Sequence, residues 1–245
     1  MRIALCNEVI APMPFPQQCV YAAKLGYDGL EIAPYTLSDE PHRMGAAQIA
    51  AARAAAADAG IVVTGLHWLL LKPAGLSIST QNESTRKKTV DVMLALVDQC
   101  AELGGRYLVH GSPQQRRLEA GDSRAAAMAR AQECFAAVVT AIGSRSVRTM
   151  LDCSAASRME TAPLPALVDT WVPRGMIAHV QVNDRNRRGP GQGEQRFAPL
   201  LAALVRHGYA GDIAVEPFDY VPDGPGAAAR AIGYIKGILE ALQER

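Results

Sequence analysis

Paired cysteines are the first thing this sequence lacks. Its five cysteines (Cys6, Cys19, Cys100, Cys134, Cys153) are scattered, and no two stand at CxxC spacing. An odd, dispersed set argues against a disulfide framework and for a reducing compartment, so a cytoplasmic location is expected. Charge of one sign is also missing: the formal net charge is +1. That balance exerts no general pull on nucleic acid or on an anionic membrane, and neither is expected as a partner. No apolar run approaches the roughly 20 residues of a membrane span. The chain opens directly into an apolar strand pattern, Met1-Arg2-Ile3-Ala4-Leu5, without the apolar region and cleavage site of a signal peptide. No Gly-x-Gly-x-x-Gly follows that first strand, which weakens a dinucleotide-binding reading. The glycine-rich run Gly189-Pro190-Gly191-Gln192-Gly193 lacks the Lys-Ser/Thr of a phosphate loop.

What is present is a large apolar fraction, 49% of 245 residues, against 20% charged. A sizeable core can form, and disorder is not expected. The length suits one α/β barrel of about 250 residues, and no composition break marks a linker, so one domain over 1–245 is expected. Short β-branched runs read as strands at Arg2–Cys6, Gly29–Ile32, Ile61–His67, Arg106–His110, Val147–Asp152, Ile177–Val182 and Asp212–Glu216. Helical patterns lie between them, including an Ala-rich one over Met44–Ala59 stopped by Gly60, and others over Ser84–Leu103 and Ser123–Ile142. The last helix spans Ala227–Leu242. About seven βα units alternate, which predicts a parallel sheet covered by helices, with a barrel favoured over an open sheet.

In parallel α/β proteins the chemistry sits at the C-terminal ends of strands. The polar residues there are Glu8, Glu31, His67, His110, Asp152, Gln181, Arg187 and Glu216. Carboxylates with a carbonyl oxygen suit a divalent ion such as Mn²⁺ or Mg²⁺, which can polarise a carbonyl beside a carboxylate base. An arginine nearby can hold a hydroxyl or phosphate. Each residue also has a plain structural reading. Glu216, before Pro217, could be a solvated strand end. Asp152 could cap a turn. Gln181 could satisfy backbone in an apolar strand. His67 and His110 could be hydrogen-bonded rim residues, and Arg187 with Arg188 a solvated pair. His179 is expected on the face opposite Gln181, as a core or supporting residue. Cys153 has no histidine placed to activate it, so a nucleophilic role is not expected.

Taken together, LGYDGLEIAPYTL, GLHWLL, YLVHGSP, MLDCSA, HVQVNDRNRRGPGQG and GYAGDIAVEPF resemble the xylose isomerase-like TIM-barrel superfamily, closest in its sugar phosphate isomerase/epimerase branch. The resemblance covers nearly the whole chain and is strongest from Val147 to Phe218. It implies that Glu216 is a metal ligand and the catalytic base, with Asp152 and Gln181 as further ligands. Gln181 stands where many relatives carry histidine, though relatives resembling hydroxypyruvate isomerase carry glutamine. The resemblance also implies that Arg187, His67, Glu31 and His110 line the substrate site. Two departures stand out. Ala155 replaces the histidine of the family's LDxxH motif. The fifth-strand glutamate, half of the family's acid/base pair, has no counterpart, because only one helix separates His110 from Val147. One βα unit is absent, and a barrel of about seven strands is expected.

The resemblance implies a metal-dependent isomerase or epimerase of a small sugar or hydroxy-ketone, acting through an enediolate. The alternative is a catalytically degenerate barrel that binds a sugar or a partner without turnover. Endonuclease action on abasic DNA, known in the superfamily, needs a cluster of zinc ligands and a basic groove. Five histidines and the +1 charge argue against it. Pairing into a homo-oligomer is compatible with such a barrel.

Overall fold

The structure, a computed structural model, describes residues 1–143 and 147–243. Six strands form in it: β1 (Arg2–Cys6), β2 (Gly29–Ile32), β3 (Val62–Leu66), β4 (Thr149–Asp152), β5 (Ile177–Val182) and β6 (Asp212–Val215). Eight α-helices lie between and after them: α1 (Phe15–Leu25), α2 (Ala46–Asp58), α3 (Glu83–Glu102), α4 (Arg124–Ala141), α5 (Cys153–Met159), α6 (Leu164–Trp171), α7 (Ala198–Arg206) and α8 (Gly224–Gln243). The strand order is β3-β2-β1-β6-β5-β4. This is the parallel α/β architecture that the alternation predicts. No helix among the described residues is long and apolar enough to cross a membrane.

Internal contacts divide the chain into two compact units. The first comprises Met1–Glu31, Ala56–Val62 and Arg148–Arg245, and the second Ile32–Ala55 and Val63–Val147.

In the first unit β2, β1, β6, β5 and β4 pair in parallel. Period two sorts their side chains onto two faces. Ile3, Leu5, Leu30, Leu151, Val180, Val182, Ile213 and Val215 share one face and are buried. Helices α7 and α8 pack together in this unit, with Leu200, Leu201, Leu204, Ile232 and Ile235 in the core. Burying each such side chain contributes about 1.5–3 kcal/mol. Phe197, fully buried, meets the Tyr234 ring edge-on with centroids 6.3 Å apart.

The opposite face is polar and runs from an ion pair to the strand ends. At its N-terminal end Arg2 Nε and Nη2 clasp both oxygens of buried Asp212, at 2.7 and 2.8 Å. Above them the register aligns Gly29, Ala4, Ala214 and Gln181, and then Asp152 beside Gln181. One step further come Glu31 and Cys6, partnered directly. Glu216 follows Val215, which is partnered with Leu5 and Val182, so it ends level with Cys6 and Asn183. Helix α8 starts tight against this end: a Cβ on Gly224 would fall 1.8 Å from the carbonyl oxygen of Val9, so only glycine fits there.

In the second unit α3 and α4 pack together. Each begins with a side-chain cap. Asn82 Oδ1 accepts from Thr85 N at 3.0 Å, and Ser123 Oγ from Ala126 N at 3.1 Å. The strand expected at Arg106–His110 is reduced to one parallel bridge, Leu66 with Leu108. Strand-like bonds flank it: Arg106 N to Thr64 O at 2.9 Å, Leu66 N to Tyr107 O at 3.0 Å, and Val109 N to Leu66 O at 2.7 Å. Counted with this segment, the expected seven strand positions are all present. Between His110 and β4 the described residues hold only a short turn of helix at Gln114–Arg116 and α4. No further strand stands there among them, as the missing βα unit requires.

Candidate functional site

Glu31 sits at the C-terminal end of β2 and is fully buried. Its Oε1 accepts a hydrogen bond from Gln181 Nε2 at 2.8 Å and lies 3.7 Å from the Cys6 thiol. Its Oε2 lies 2.8 Å from His179 Nε2. Strands β2 and β5 are three places apart in the sheet order, about 14 Å in a flat sheet. Side chains standing upright on a flat sheet would not meet across that distance, so the polar face of the first unit is concave. The small side chains between them, Ala4 on β1 and Ala214 on β6, leave the path open.

His179 overturns one expectation. It does not face away from Gln181: both side chains reach Glu31. Residues two apart in a strand share a face, and the sequence already carried that answer.

Gln181 is buried. Its nitrogen faces Glu31, which leaves its oxygen as the atom able to meet a cation. Asp152, half-buried, ends β4 and caps α5, accepting from Ala155 N at 2.8 Å on Oδ1. The capping role considered for it is therefore real, and α5 is a helix beyond those expected from the sequence. Asp152 Oδ2 lies 3.5 Å from Asn183 Nδ2.

Glu216 is buried at the end of β6, its N–H directed at Val182 O at 3.3 Å. One carboxylate oxygen each from Glu216 and Glu8 and the Cys6 thiol lie within 4.8 Å of one another. Burial first, and then the charges of Glu31, Glu8 and Glu216, hold the Cys6 thiol well above its usual pKa. Cys153 is buried and likewise raised, by burial and then by Asp152, which makes it a poor nucleophile.

Arg187 is exposed, in the loop after β5. Its backbone is left-handed, φ 72°. The loop is fixed on both sides: Arg187 N donates to Asp184 O at 2.8 Å, and Arg187 O accepts from Phe218 N at 2.8 Å and Asp219 N at 3.0 Å. The guanidinium lies 5.5 Å from the centre of the Phe218 ring. Arg188 pairs instead with Asp219 at 2.9 Å.

The other two expected residues belong to the second unit. His67 is buried just past β3, its N–H bonded to Ile32 O at 2.9 Å. His110 packs edge-on against Phe135, ring centroids 4.8 Å apart. Burial, and then the charge of Arg116, push its imidazole down to about 4.

The first unit thus gathers Glu31, Asp152, Gln181 and Glu216 on one polar face, with Arg187 in the loop beyond it. Cys6 and Asn183 join them without having been assigned a role from the sequence, and His179, expected as a core or supporting residue on the other face, joins them on this one. The donor set suits a hard or borderline divalent ion, since it offers the carboxylates of Glu216 and Asp152 and the free amide oxygen of Gln181.

Residues 19–151, more than half of the chain, match a family described as "Xylose isomerase-like TIM barrel". The chain belongs to the xylose isomerase-like TIM-barrel family. Solved structures of similar fold span the full length. A D-psicose 3-epimerase structure determined with D-fructose has a TM-score of 0.79 at 18% identity, covering 98% of this chain and 99% of its own. The 3-keto-D-glucoside 4-epimerase of E. coli gives 0.79 at 18%, covering 97% and 99%. An AP endonuclease, family 2, from Brucella melitensis gives 0.66 at 18%, covering 95% and 98%. At such identities these likenesses establish the barrel fold of this family member and leave its chemistry to its own residues. No protein of curated function matches the sequence.

Proposed function

We propose that this xylose isomerase-like protein is a sugar or small hydroxy-ketone isomerase or epimerase dependent on a divalent ion. The observation that carries the reading is Glu216: a buried carboxylate at the end of β6, level with the ends of β1 and β5, on the face that bears Gln181 and Asp152. Sugar epimerases among the structural neighbours support it. In this reading Glu216, Asp152 and Gln181 hold Mn²⁺ or Mg²⁺. The ion, when bound, supplies Lewis acidity to a substrate carbonyl.

The chain's own groups do the rest. Glu216 takes the proton from the carbon beside the carbonyl, leaving an enediolate and a carboxylic acid. Returning that proton to the former carbonyl carbon, as the neighbouring hydroxyl passes its proton to the former carbonyl oxygen, gives the isomer, and the transfer between carbons requires one carboxyl group only. Epimerisation needs a donor on the opposite face, and the family's glutamate for that role is missing. Isomerisation by a single base therefore fits this chain better than two-base epimerisation. Arg187 holds a substrate hydroxyl or phosphate at the loop. The substrate-contact roles of His67 and His110 rest on the family resemblance. A cytoplasmic enzyme fits the five free, buried cysteines.

The test is a calorimetric Mn²⁺ titration of chelator-stripped protein, with Glu216→Gln as control, followed by a ketose screen. Saturable binding that is lost in the variant is expected. Absence of binding in the wild type would reverse the reading in favour of a barrel that binds a sugar or partner without turnover.

A further inference from the structure

Glu31 was expected to touch substrate, yet its carboxylate is fully buried and engaged on both oxygens by groups of its own unit. We propose that Glu31 is a positioning residue: it locks the side-chain amide of Gln181 so that the oxygen, and not the nitrogen, is left for a ligand. The inference rests on the metal-site reading above.

The physical argument starts from the amide itself. A primary amide has one end that accepts and one that donates, and rotation by half a turn about its last torsion exchanges them with almost no change in shape. A glutamine free to rotate would offer NH₂ to a cation in about half of its conformations, and NH₂ is not a ligand for Mg²⁺ or Mn²⁺. A carboxylate only accepts. Placed 2.8 Å from the Gln181 nitrogen, Glu31 makes the flipped state a contact between two acceptors.

Glu31 is itself held in place. His179 Nε2 stands 2.8 Å from its second oxygen, and the Cys6 thiol reaches the first at 3.7 Å. Gln181 and His179 are two residues apart on one strand, so β5 grips the carboxylate at both oxygens while β2 delivers it from across the sheet. A histidine ligand needs its second nitrogen bonded to fix the ring. A glutamine ligand needs its nitrogen bonded to fix the amide. Glu31 answers the second need, and it does so from 150 residues away in sequence.

The test uses the full chain, labelled with ¹⁵N, in metal-free form. The Gln181 side-chain amide is assigned by its absence in Gln181→Met. In the wild type its two protons are expected to be well separated in shift and slow to exchange with water. In Glu31→Gln they should converge toward free-amide positions and exchange about tenfold faster, the protection given by one hydrogen bond to a charged acceptor. A wild-type amide that exchanges like an exposed glutamine would overturn the proposal, and that result needs no variant to fold. The second readout is Mn²⁺ affinity by calorimetry, expected to weaken about 10–100-fold in Glu31→Gln with unchanged stoichiometry. Unchanged amide signals and affinity, together with a raised KM for a ketose, would return Glu31 to substrate contact and also overturn it. Should the wild type bind no Mn²⁺, the metal-site reading fails, while the amide spectrum still decides whether Glu31 locks Gln181.

Discussion

Asn183 donates from Nδ2 to the backbone oxygen of Glu216 at 3.1 Å, joining the end of β5 to the end of β6. Its Oδ1 accepts from Ser154 N, at the start of α5, at 2.7 Å. Asn183 Nδ2 also approaches Asp152 Oδ2 at 3.5 Å. One fully buried amide therefore connects three strand ends, each of which carries a proposed metal ligand.

Asn183→Ala leaves the Ser154 N–H and the Glu216 carbonyl without this partner. We expect a loss of about 1–3 kcal/mol in urea unfolding, the cost of buried groups left unsatisfied. Asn183→Asp keeps the acceptor but replaces the donor with a second oxygen facing Asp152, and should be worse than alanine. If alanine proves the more damaging of the two, the bond to Ser154 outweighs those made by Nδ2.

Glu216→Gln keeps the volume and removes the charge. Metal-dependent turnover should vanish, and Mn²⁺ binding should fall below detection by calorimetry, with little change in thermal unfolding. Retained turnover in the variant would remove Glu216 from the role of base.

Much of this was legible in the chain. β-branched runs bounded by glycine placed the strands, and the polar residues at their ends marked the face on which the site is proposed. Glu216, Asp152 and Gln181 could be read because each closes such a run. Other features depend on what lies across the sheet. Nothing near Glu31 in sequence points to Gln181, since their contact arises from the curvature of the sheet and from the small side chains of Ala4 and Ala214 between them. The segment Arg106–His110 has strand composition but makes one bridge only, because composition cannot report how much of a neighbour is available to pair with. Helix α5 had a usable signal in Asp152, a good N-cap before Cys-Ser-Ala-Ala. His179 required no structure, only period two applied from Gln181.

Arg187 offers a separation of stability from function. Its left-handed backbone, φ 72°, costs a side-chain-bearing residue about 1 kcal/mol that glycine avoids. Arg187→Gly and Arg187→Ala both lose the guanidinium and its place over Phe218. We expect the glycine variant to be the more stable by about 1 kcal/mol in urea unfolding, with substrate binding lost equally in both. Equal stabilities would mean that the loop relaxes once the arginine is gone.

His110 makes the second unit sensitive to acid. Both of its ring nitrogens are buried without a hydrogen-bond partner. Burial, and then Arg116, hold its pKa at about 4, below the ordinary 6.5. The unfolded chain therefore binds a proton at His110 at a pH where the folded chain does not. Stability from this group is whole above about pH 6.5 and falls as pH drops toward 4, where the folded imidazole also protonates. The shift sets the loss at up to about 3 kcal/mol. His110→Leu removes the titration and keeps an apolar partner for Phe135. Carboxylates titrate in both proteins, so the quantity to follow is the difference in unfolding free energy between wild type and variant, measured in urea from pH 7.5 to 4. That difference should be flat above pH 6.5 and should move against the wild type below it. A difference independent of pH would mean that His110 gains access to water when protonated, with a pKa close to that of the unfolded chain.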